Sequence, residues 1–338
     1  MGKEIKRISF FEDLKEKKAT IAYFLQEGPN TCNASCEGCY AGAGTSSEDM
    51  ARGIIDPVEA REDISELVKE YRVLIRGTEI LMNREYIPLL KLAENKVILT
   101  NGIILGRQPK ILDYLAENGV SNITITYPFE DSTSSTRNLN NLSHQRPDIL
   151  DAVKNITRHD HDFTLQLSAI VTREDVQSRS ALENLCKEAI DLDADVLRMI
   201  PYVPISGNET IDRYALNIEE RAKLASLTTE LKSKYDKEEL MIHTPGVLGL
   251  FPYRRALKRE ASDEKAICPA GLHYFAIGAA KKGDMRKITP CHFIMNEEVG
   301  AYGGGSKIQI YEHRICELFK NVDREDCFAQ NYWKSLRQ

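Results

Sequence analysis

Thr31-Cys32-Asn33-Ala34-Ser35-Cys36-Glu37-Gly38-Cys39-Tyr40 is the stretch that decides the fold, and it directly follows a predicted strand, Thr20–Leu25. Its three cysteines stand at x3 and x2 spacing on a glycine-bearing loop that can wrap a small metal cluster. Thiolates are the soft ligands that iron–sulfur clusters and zinc prefer. Three thiolates are one short of closing a 4Fe–4S cubane, so one iron stays open to an exogenous ligand.

Zinc is the first alternative for this loop, and three inert thiols are the second. A structural zinc site needs a fourth Cys or His close by, and the nearest histidine, His144, is far along the chain. Three inert buried thiols do not suit a polar loop. We therefore interpret the loop as the holder of a 4Fe–4S cluster with one open iron.

Length and composition limit the class of protein. A chain of 338 residues predicts two domains, or one large α/β unit with an appendage. Its hydrophobic share of 42% and charged share of 28% exclude collagen-like, disordered and coiled-coil proteins. The net charge is −6, and no basic block is interleaved with aromatic residues, so we expect no binding to nucleic acid. A peptide or small-molecule partner fits better.

The first twenty residues alternate charges and lack the apolar stretch of a secretory signal. No later segment approaches the eighteen apolar residues that a membrane span requires. We therefore expect a cytoplasmic protein that is not bound to a membrane. In a reducing compartment, the eight cysteines are expected to bind metal or take part in catalysis rather than form disulfides.

Short apolar runs alternate with amphipathic stretches of helical length through most of the chain. The predicted strands are Thr20–Leu25, Val73–Arg76, Lys96–Thr100, Asn122–Tyr127, Phe163–Val171 and Asp195–Pro201. The predicted helices are Asp56–Tyr71, Arg84–Glu94, Pro109–Asn118, Pro147–His159, Arg179–Leu192 and Asn217–Tyr235. Six strand–helix repeats imply parallel strands with right-handed crossovers, hence an α/β fold containing a partial (β/α)6 barrel.

The alternation stops after about residue 240, where Gly, Pro, Cys and short strands such as Lys307–Tyr311 become prominent. A domain boundary is expected between about 236 and 262. We predict an N-terminal extension at 1–19, the partial barrel at 20–240 and a small C-terminal domain at 241–338.

The cysteine spacing after the first strand of an α/β repeat is the motif of the radical S-adenosylmethionine (radical SAM) superfamily. The chain resembles this family over roughly residues 20–235. The resemblance implies that the open iron of the cluster binds the amino and carboxylate groups of S-adenosylmethionine. It also implies cofactor contacts from Tyr40, Gly77, Thr78, Glu79, Asn101, Ser168 and Arg198.

Four of these assignments rest on short matching segments. Arg76-Gly77-Thr78-Glu79 resembles the family's Gly-Gly-Glu segment, whose backbone and carboxylate meet the methionyl amino group; here a threonine replaces the second glycine. Thr100-Asn101-Gly102 resembles the Thr-Asn-Gly turn of members that carry a C-terminal extension. Ser168 and Arg198 stand where relatives place groups for the ribose and the methionyl carboxylate. The alternatives are glycines that serve tight turns and ordinary polar residues of the barrel.

The chemistry implied by the resemblance belongs to the cofactors, while the protein supplies binding and orientation. One electron, from a reducing partner such as flavodoxin or ferredoxin, would cleave S-adenosylmethionine to methionine and a 5′-deoxyadenosyl radical. That radical would abstract hydrogen from a substrate carbon. A closed, dry barrel is needed, because the radical attacks almost anything within reach.

Four further cysteines lie in the C-terminal segment: Cys268, Cys291, Cys316 and Cys327. Their arrangement resembles the SPASM and Twitch extensions of radical SAM enzymes, which implies one auxiliary 4Fe–4S cluster with four cysteine ligands. A zinc knuckle remains an alternative. Partial use of these cysteines beside His273 or His292 is another.

Other candidate residues have simpler interpretations. Cys186 lies among apolar residues at helical spacing and is predicted to be an inert core thiol, with a hydrogen-atom donor as the alternative. The His159–Asp162 run reads as a surface turn. Glu130, Asp131 and Tyr202 follow strands at the productive end, where each would either contact substrate or be solvated.

The sequence thus predicts a radical SAM enzyme whose substrate is a ribosomally made peptide, modified by crosslinking, thioether formation or epimerisation. The alternative is epimerisation or dehydrogenation of a small sugar, aminoglycoside or nucleoside. A non-enzyme alternative is an iron–sulfur or zinc scaffold or sensor, which would not turn over S-adenosylmethionine. No single residue is assigned as the catalytic acid, base or hydrogen donor.

Overall fold

The computed structural model describes residues 20–28, 30–34, 36, 39, 53–130, 142–202, 213–235, 240–244, 274–280, 285–291, 298–303, 308–311 and 314. Several predicted features lie outside the described residues: the N-terminal extension at 1–19, Tyr40, Asp131, Cys268, His273, His292, Cys316 and Cys327.

Strands and helices alternate from Thr20 to Tyr235. The strands are β1 Thr20–Phe24, β2 Arg72–Arg76, β3 Val97–Thr100, β4 Asn122–Thr126, β5 Thr164–Val171, β6 Val196–Pro201, β7 Met241–His243, β8 Tyr274–Ile277, β9 Arg286–Thr289, β10 Gly300–Tyr302 and β11 Ile308–Ile310. The helices are α1 Pro57–Glu70, α2 Ile87–Leu92, α3 Ile103–Arg107, α4 Ile111–Glu117, α5 Arg146–Thr157, α6 Arg173–Gln177, α7 Arg179–Asp191 and α8 Ile218–Tyr235. Short 3-10 turns span Ile80–Met82, Arg84–Tyr86 and Ser143–Gln145.

The six predicted strands and six predicted helices are confirmed to within a few residues. The largest difference is at α2, which begins at Ile87 rather than at Arg84. Pro88 occupies the first turn of this helix, where its missing N–H costs nothing, and a separate 3-10 turn precedes it. Helices α3 and α6 and strand β7 are additions that the sequence pattern did not predict.

Local signals explain where the first helix begins. The Asp56 side chain accepts hydrogen bonds from the backbone N–H groups of Val58 and Glu59, which have no partner inside the helix. Pro57 follows at the first helical position. Helix α1 then buries Ala60, Asp63, Ile64 and Leu67.

The strands form two sheets. One has the order β3-β4-β5-β6-β7, and all of its pairs are parallel. The other has the order β2-β1-β8-β9-β10-β11; β1 pairs in parallel with both β2 and β8, and the remaining pairs are antiparallel. Among the described residues no strand pairing joins β2 to β3, so the six predicted barrel strands form an open, partial barrel. The α/β prediction is therefore confirmed.

The strands present one face to the helices and the other to the barrel interior. Ile75 of β2 and Leu197 and Met199 of β6 are buried in the main core with the helices. Because successive side chains of a strand alternate, Arg76 and Arg198 belong to the inner face. Both are only partly buried.

A group of buried charges attaches the C-terminal strands to α1. The Arg286 guanidinium on β9 donates hydrogen bonds to Asp63 and Glu59 of α1 and to the Tyr23 hydroxyl. Asp63 also accepts from the hydroxyls of Tyr23, at 2.6 Å, and Tyr302, at 2.8 Å. Burial raises the pKa of both tyrosines, so their hydroxyls stay protonated as donors.

No helix in the described part of the chain combines the length and the apolarity that a membrane crossing requires.

Candidate functional site

The three-cysteine loop follows the short segment after β1, which ends at Phe24, on the side of the carboxyl ends of the parallel strands. Cys32 and Cys36 are half-buried and pack against the main core, and the Cys39 N–H donates to the Cys36 carbonyl over 3.2 Å. Burial raises the pKa of the Cys32 thiol to about 11, and the charges of Glu79 and Cys39 act in the same direction. A thiol in such surroundings needs a nearby cation, such as a bound metal ion, to stabilise its thiolate form.

Two N–H groups point at the Cys32 sulfur. The Ala34 backbone N–H lies 3.4 Å from it, and the Asn101 side-chain amide lies 3.5 Å from it. The same amide nitrogen donates to Asn33 Oδ1 over 2.7 Å. N–H donors stabilise the charge on a thiolate and tune the potential of any cluster it binds.

A hydrogen-bond network positions the start of the loop. The Thr78 hydroxyl lies within hydrogen-bond distance of the Thr31 carbonyl and, at 2.8 Å, of the Thr31 hydroxyl. The buried Gln26 amide donates to the Thr31 carbonyl over 3.0 Å and to the Glu79 carbonyl over 2.6 Å. Thr78, which stands where the family segment has glycine, therefore connects the end of β2 to the residue before Cys32.

Gly77 is needed where it stands because its surroundings are tight. A Cβ atom there would lie 3.2 Å from both Gln26 Cγ and Ile80 Cγ1. Glycine thus allows the turn after β2 to approach the loop after β1 closely.

The Glu79 carboxylate lies inside the protein and is fully buried. It accepts hydrogen bonds from the Thr100 hydroxyl at 2.9 and 3.0 Å, the Asn101 backbone N–H at 2.8 Å and the Leu81 N–H at 3.3 Å. Burial raises its pKa to about 7, and these donors oppose the rise. The resemblance implied a carboxylate contact to the methionyl amino group. In the structure this carboxylate points towards β3, where it holds Asn101 in place, and its contact to the methionyl amino group stays a prediction.

Ser168 and Arg198 lie side by side on neighbouring strands. The pairing register aligns Thr126, Ser168, Arg198 and His243 in one row across β4 to β7. The Ser168 hydroxyl is buried without a hydrogen-bond partner among the described residues, which fits a place for a ligand oxygen. Burial and the positive charge of Arg76 lower the pKa of Arg198 to about 10.

Cys291 lies just after β9, and its carbonyl accepts a 3.2 Å hydrogen bond from the Thr289 hydroxyl. Its three proposed partner cysteines are outside the described residues, so their arrangement stays a prediction. Within the described ranges, no three His, Cys, Asp or Glu side chains converge on one metal-ion position. A cubane does not require such convergence, because each thiolate binds a different iron.

The remaining candidates lie away from the cysteine loop. Cys186 is fully buried in α7, and burial raises its pKa to about 12, which agrees with the predicted inert core thiol. His159 pairs with Asp113 on the surface, as predicted for a turn. Glu130 is largely exposed beside Arg146, whereas Tyr202 is buried.

Sequence reasoning did not single out Arg76, which lies close enough to Arg198 for its charge to lower the pKa of that residue. The sequence carried a signal for this residue. Strands of a parallel sheet that is covered on both faces are usually apolar throughout, so an arginine that alternates with Val73 and Ile75 is unusual. Such a residue has to face a polar interior.

No protein-family model and no curated protein matches this chain. Solved structures do match. Native anSMEcpe with bound AdoMet aligns with a TM-score of 0.59 at 14% identity, over 84% of this chain and 77% of that one. Streptococcus suis SuiB bound to S-adenosylmethionine aligns with a TM-score of 0.57 at 15% identity, over 83% of this chain and 61% of that one. SuiB bound to precursor peptide SuiA aligns with a TM-score of 0.60 at 14% identity, over 96% of this chain and 66% of that one.

The chain has the radical SAM fold. The cysteine loop, the Gly77–Glu79 turn and the Ser168 and Arg198 row all lie at or near the carboxyl ends of the strands of this radical SAM fold.

Proposed function

We propose that this chain is a radical SAM enzyme that abstracts hydrogen from a peptide substrate. The single observation that supports this most strongly is the loop of Cys32, Cys36 and Cys39 at the carboxyl end of β1 in this fold. The amide of Asn101 points at one of its sulfurs, as expected for a residue that supports a metal ligand.

The residues present fit the cofactors. Cys32, Cys36 and Cys39 would hold a 4Fe–4S cluster with one open iron, and the orphaned Ser168 hydroxyl would bind S-adenosylmethionine together with Arg198. When bound, the cluster supplies the electron that cleaves S-adenosylmethionine to a 5′-deoxyadenosyl radical.

The protein residues position and shield these groups. Glu79 holds the backbone of Asn101, Asn101 donates to Cys32, and Thr78 and Gln26 hold the backbone of Thr31. Cys32 and Cys36 pack against the main core, and this packing would limit the access of water to that side of the loop.

The proposed substrate class is a peptide. Two of the similar structures contain peptides: SuiB with its precursor peptide SuiA, and anSMEcpe with AdoMet and the Kp18Cys peptide. The net charge of −6 is compatible with this class, because it favours neither nucleic acid nor anionic lipid.

We further propose that the C-terminal part, from about residue 241, forms a Twitch-like domain whose four cysteines hold one auxiliary cluster. Cys291 supports this, because it follows a strand of the sheet that contains β1. A fully ligated cluster there would carry electrons from flavodoxin or ferredoxin in the cytoplasm, or stabilise the domain.

Anaerobic iron analysis tests the proposal. Wild-type protein should contain roughly eight irons per chain, and Cys36→Ala roughly four. Cys186→Ala, which removes a buried thiol elsewhere, should lose none. With S-adenosylmethionine and a reductant, wild type and Cys186→Ala should form 5′-deoxyadenosine and Cys36→Ala should not. An iron-replete wild type without this product would contradict the proposal.

The peptide class needs its own measurement. Each short peptide encoded beside the gene should be co-expressed with the wild type and with Cys36→Ala, and its mass determined. A mass change that requires Cys36 supports a peptide substrate. Radical-dependent modification of a sugar, aminoglycoside or nucleoside with all such peptides unchanged would contradict it.

A further inference from the structure

Two arginines share the inner face of the barrel, one at the carboxyl end of β2 and one in the middle of β6. Arg76 is the last residue of β2, directly before Gly77, and Arg198 lies on β6 beside Ser168. Arg76 shares its face with Phe24, its register partner on β1, and Phe24 belongs to a small cluster separate from the main core. Both arginines therefore face the interior rather than the helices.

The two guanidinium groups are close enough for the charge of Arg76 to act on Arg198. Among the described residues, no Asp or Glu lies within ion-pair distance of either one. The contact found for Arg76 is a 3.2 Å hydrogen bond to the carbonyl of its own neighbour, Ile75. Like charges held together in a half-buried place destabilise the protein unless an anion joins them.

We propose that Arg76 forms a carboxylate-binding pair with Arg198 and that the methionyl carboxylate of S-adenosylmethionine is the anion. This inference rests on the proposed function. The resemblance assigned the carboxylate to Arg198 alone, and Arg76 is the new member of the site. Guanidinium groups bind carboxylates through paired N–H donors, which makes an arginine pair well suited to this ligand.

The position of Arg76 favours this source of carboxylate. The resemblance implies that the backbone of the next two residues, Gly77 and Thr78, meets the methionyl amino group. The amino and carboxylate groups of S-adenosylmethionine are attached to the same carbon atom. A side chain at the adjacent position is therefore within reach of the carboxylate when the amino group is bound.

Equilibrium dialysis of the anaerobic, iron-loaded protein tests the pair with two probes, S-adenosylmethionine and its decarboxylated form. Arg76→Met should weaken binding of S-adenosylmethionine by about 10-fold or more, the loss expected for a charge-assisted hydrogen-bonded pair. Decarboxylated S-adenosylmethionine carries only positive charge and should bind Arg76→Met as well as, or better than, wild type. Arg76→Lys should recover part of the affinity, because it restores the charge but not the paired donors.

Arg72→Met is the matched control. Arg72 lies on the same strand and face as Arg76, roughly 13 Å away at about 3.3 Å per residue, at the opposite end of β2. This variant should bind both probes as wild type does. The melting temperature of ligand-free Arg76→Met should stay the same or rise, because a repulsion is removed; a purely structural arginine would lower it.

The outcomes separate the two proposals. If wild type binds neither probe, the proposed function fails. If wild type binds S-adenosylmethionine but Arg76→Met weakens both probes equally or neither, only the arginine pair is overturned. Combining Arg76→Met with Arg198→Met should weaken binding by less than the product of the single effects, because both residues contact one carboxylate. Independent, multiplicative effects would also overturn the pair.

Discussion

Arg286→Met should strongly destabilise the protein, because Arg286 is a buried charge that links the C-terminal strands to α1. Arg286 and Asp63 each have about 4% of the side chain exposed, so their ion pair is nearly fully buried. Removing one partner of a buried pair typically costs about 3–5 kcal/mol, because the other charge is left without compensation. Glu59 adds little to this loss, since 34% of its side chain is exposed.

Two hydroxyl donors reduce the expected loss. Asp63 still accepts hydrogen bonds from Tyr23 and Tyr302 after the arginine is removed. Hydrogen bonds to a charged group contribute about 1.5–3 kcal/mol each, so they retain part of the stabilisation of the carboxylate. We therefore expect a loss of about 3 kcal/mol, near the lower limit for a broken buried pair.

Urea unfolding of the anaerobic protein, followed by circular dichroism, measures this loss as a shift in midpoint at constant slope. Arg107→Met is the matched control, because Arg107 also donates two hydrogen bonds to one carboxylate, on Asp148, but is well exposed. It should show no measurable change.

Asp63→Asn completes a double-mutant cycle with Arg286→Met. The double variant should lose clearly less stability than the two single variants together, because neither unpaired charge remains. A loss under about 1 kcal/mol for Arg286→Met, or additive losses in the cycle, would refute the reasoning that this buried pair attaches the C-terminal strands to α1.

Three further predictions concern the site. Asn101→Ala removes an N–H donor from the Cys32 sulfur, so the reduction potential of the cluster should become more negative. An anaerobic redox titration followed by electron paramagnetic resonance will detect this change. An unchanged potential would contradict the contact between Asn101 and the sulfur. The pKa of Glu79 is about 7 in the folded protein and about 4.5 when unfolded, so the folded state binds more protons between these values. Wild-type stability should therefore fall relative to Glu79→Gln by about 2 kcal/mol from pH 5.5 to 8 and level off above, as urea unfolding at each pH will check; a constant difference would exclude the shifted pKa. Thr78→Val keeps the shape of the side chain but removes the hydroxyl that holds Thr31. The variant should therefore lose iron to a chelator faster than wild type does. Equal rates of iron loss would show that this hydrogen bond does not hold the loop.

Local patterns in the sequence were sufficient for the barrel elements and the cysteine loop. The Asp56-Pro57 start of α1 and the apolar periodicity of the six helices follow from neighbouring residues alone. Helix α6 was missed, although Thr172 and Asp175 form a capping box, because five residues are too few for a helical period to be recognised.

Long-range contacts could not be derived in the same way. Asp63 lies on α1 among other acidic residues and reads as part of a solvated helix face, yet it is buried. Its partner, Arg286, is 223 residues away, and no local pattern relates the two. The inward direction of the Glu79 carboxylate likewise depends on the proximity of Thr100, on another strand.

The parallel pairing of β8 with β1 has a consequence for biosynthesis. β1 emerges from the ribosome about 250 residues before the strand that covers its second edge. At typical translation rates, this interval is on the order of 10–50 s. During that time the strand leading into the thiol loop has one open edge, a template for pairing with other chains. We therefore expect iron to be delivered to the completed loop after translation, and the open edge of β1 to be prone to pairing with other chains until the C-terminal strands are made.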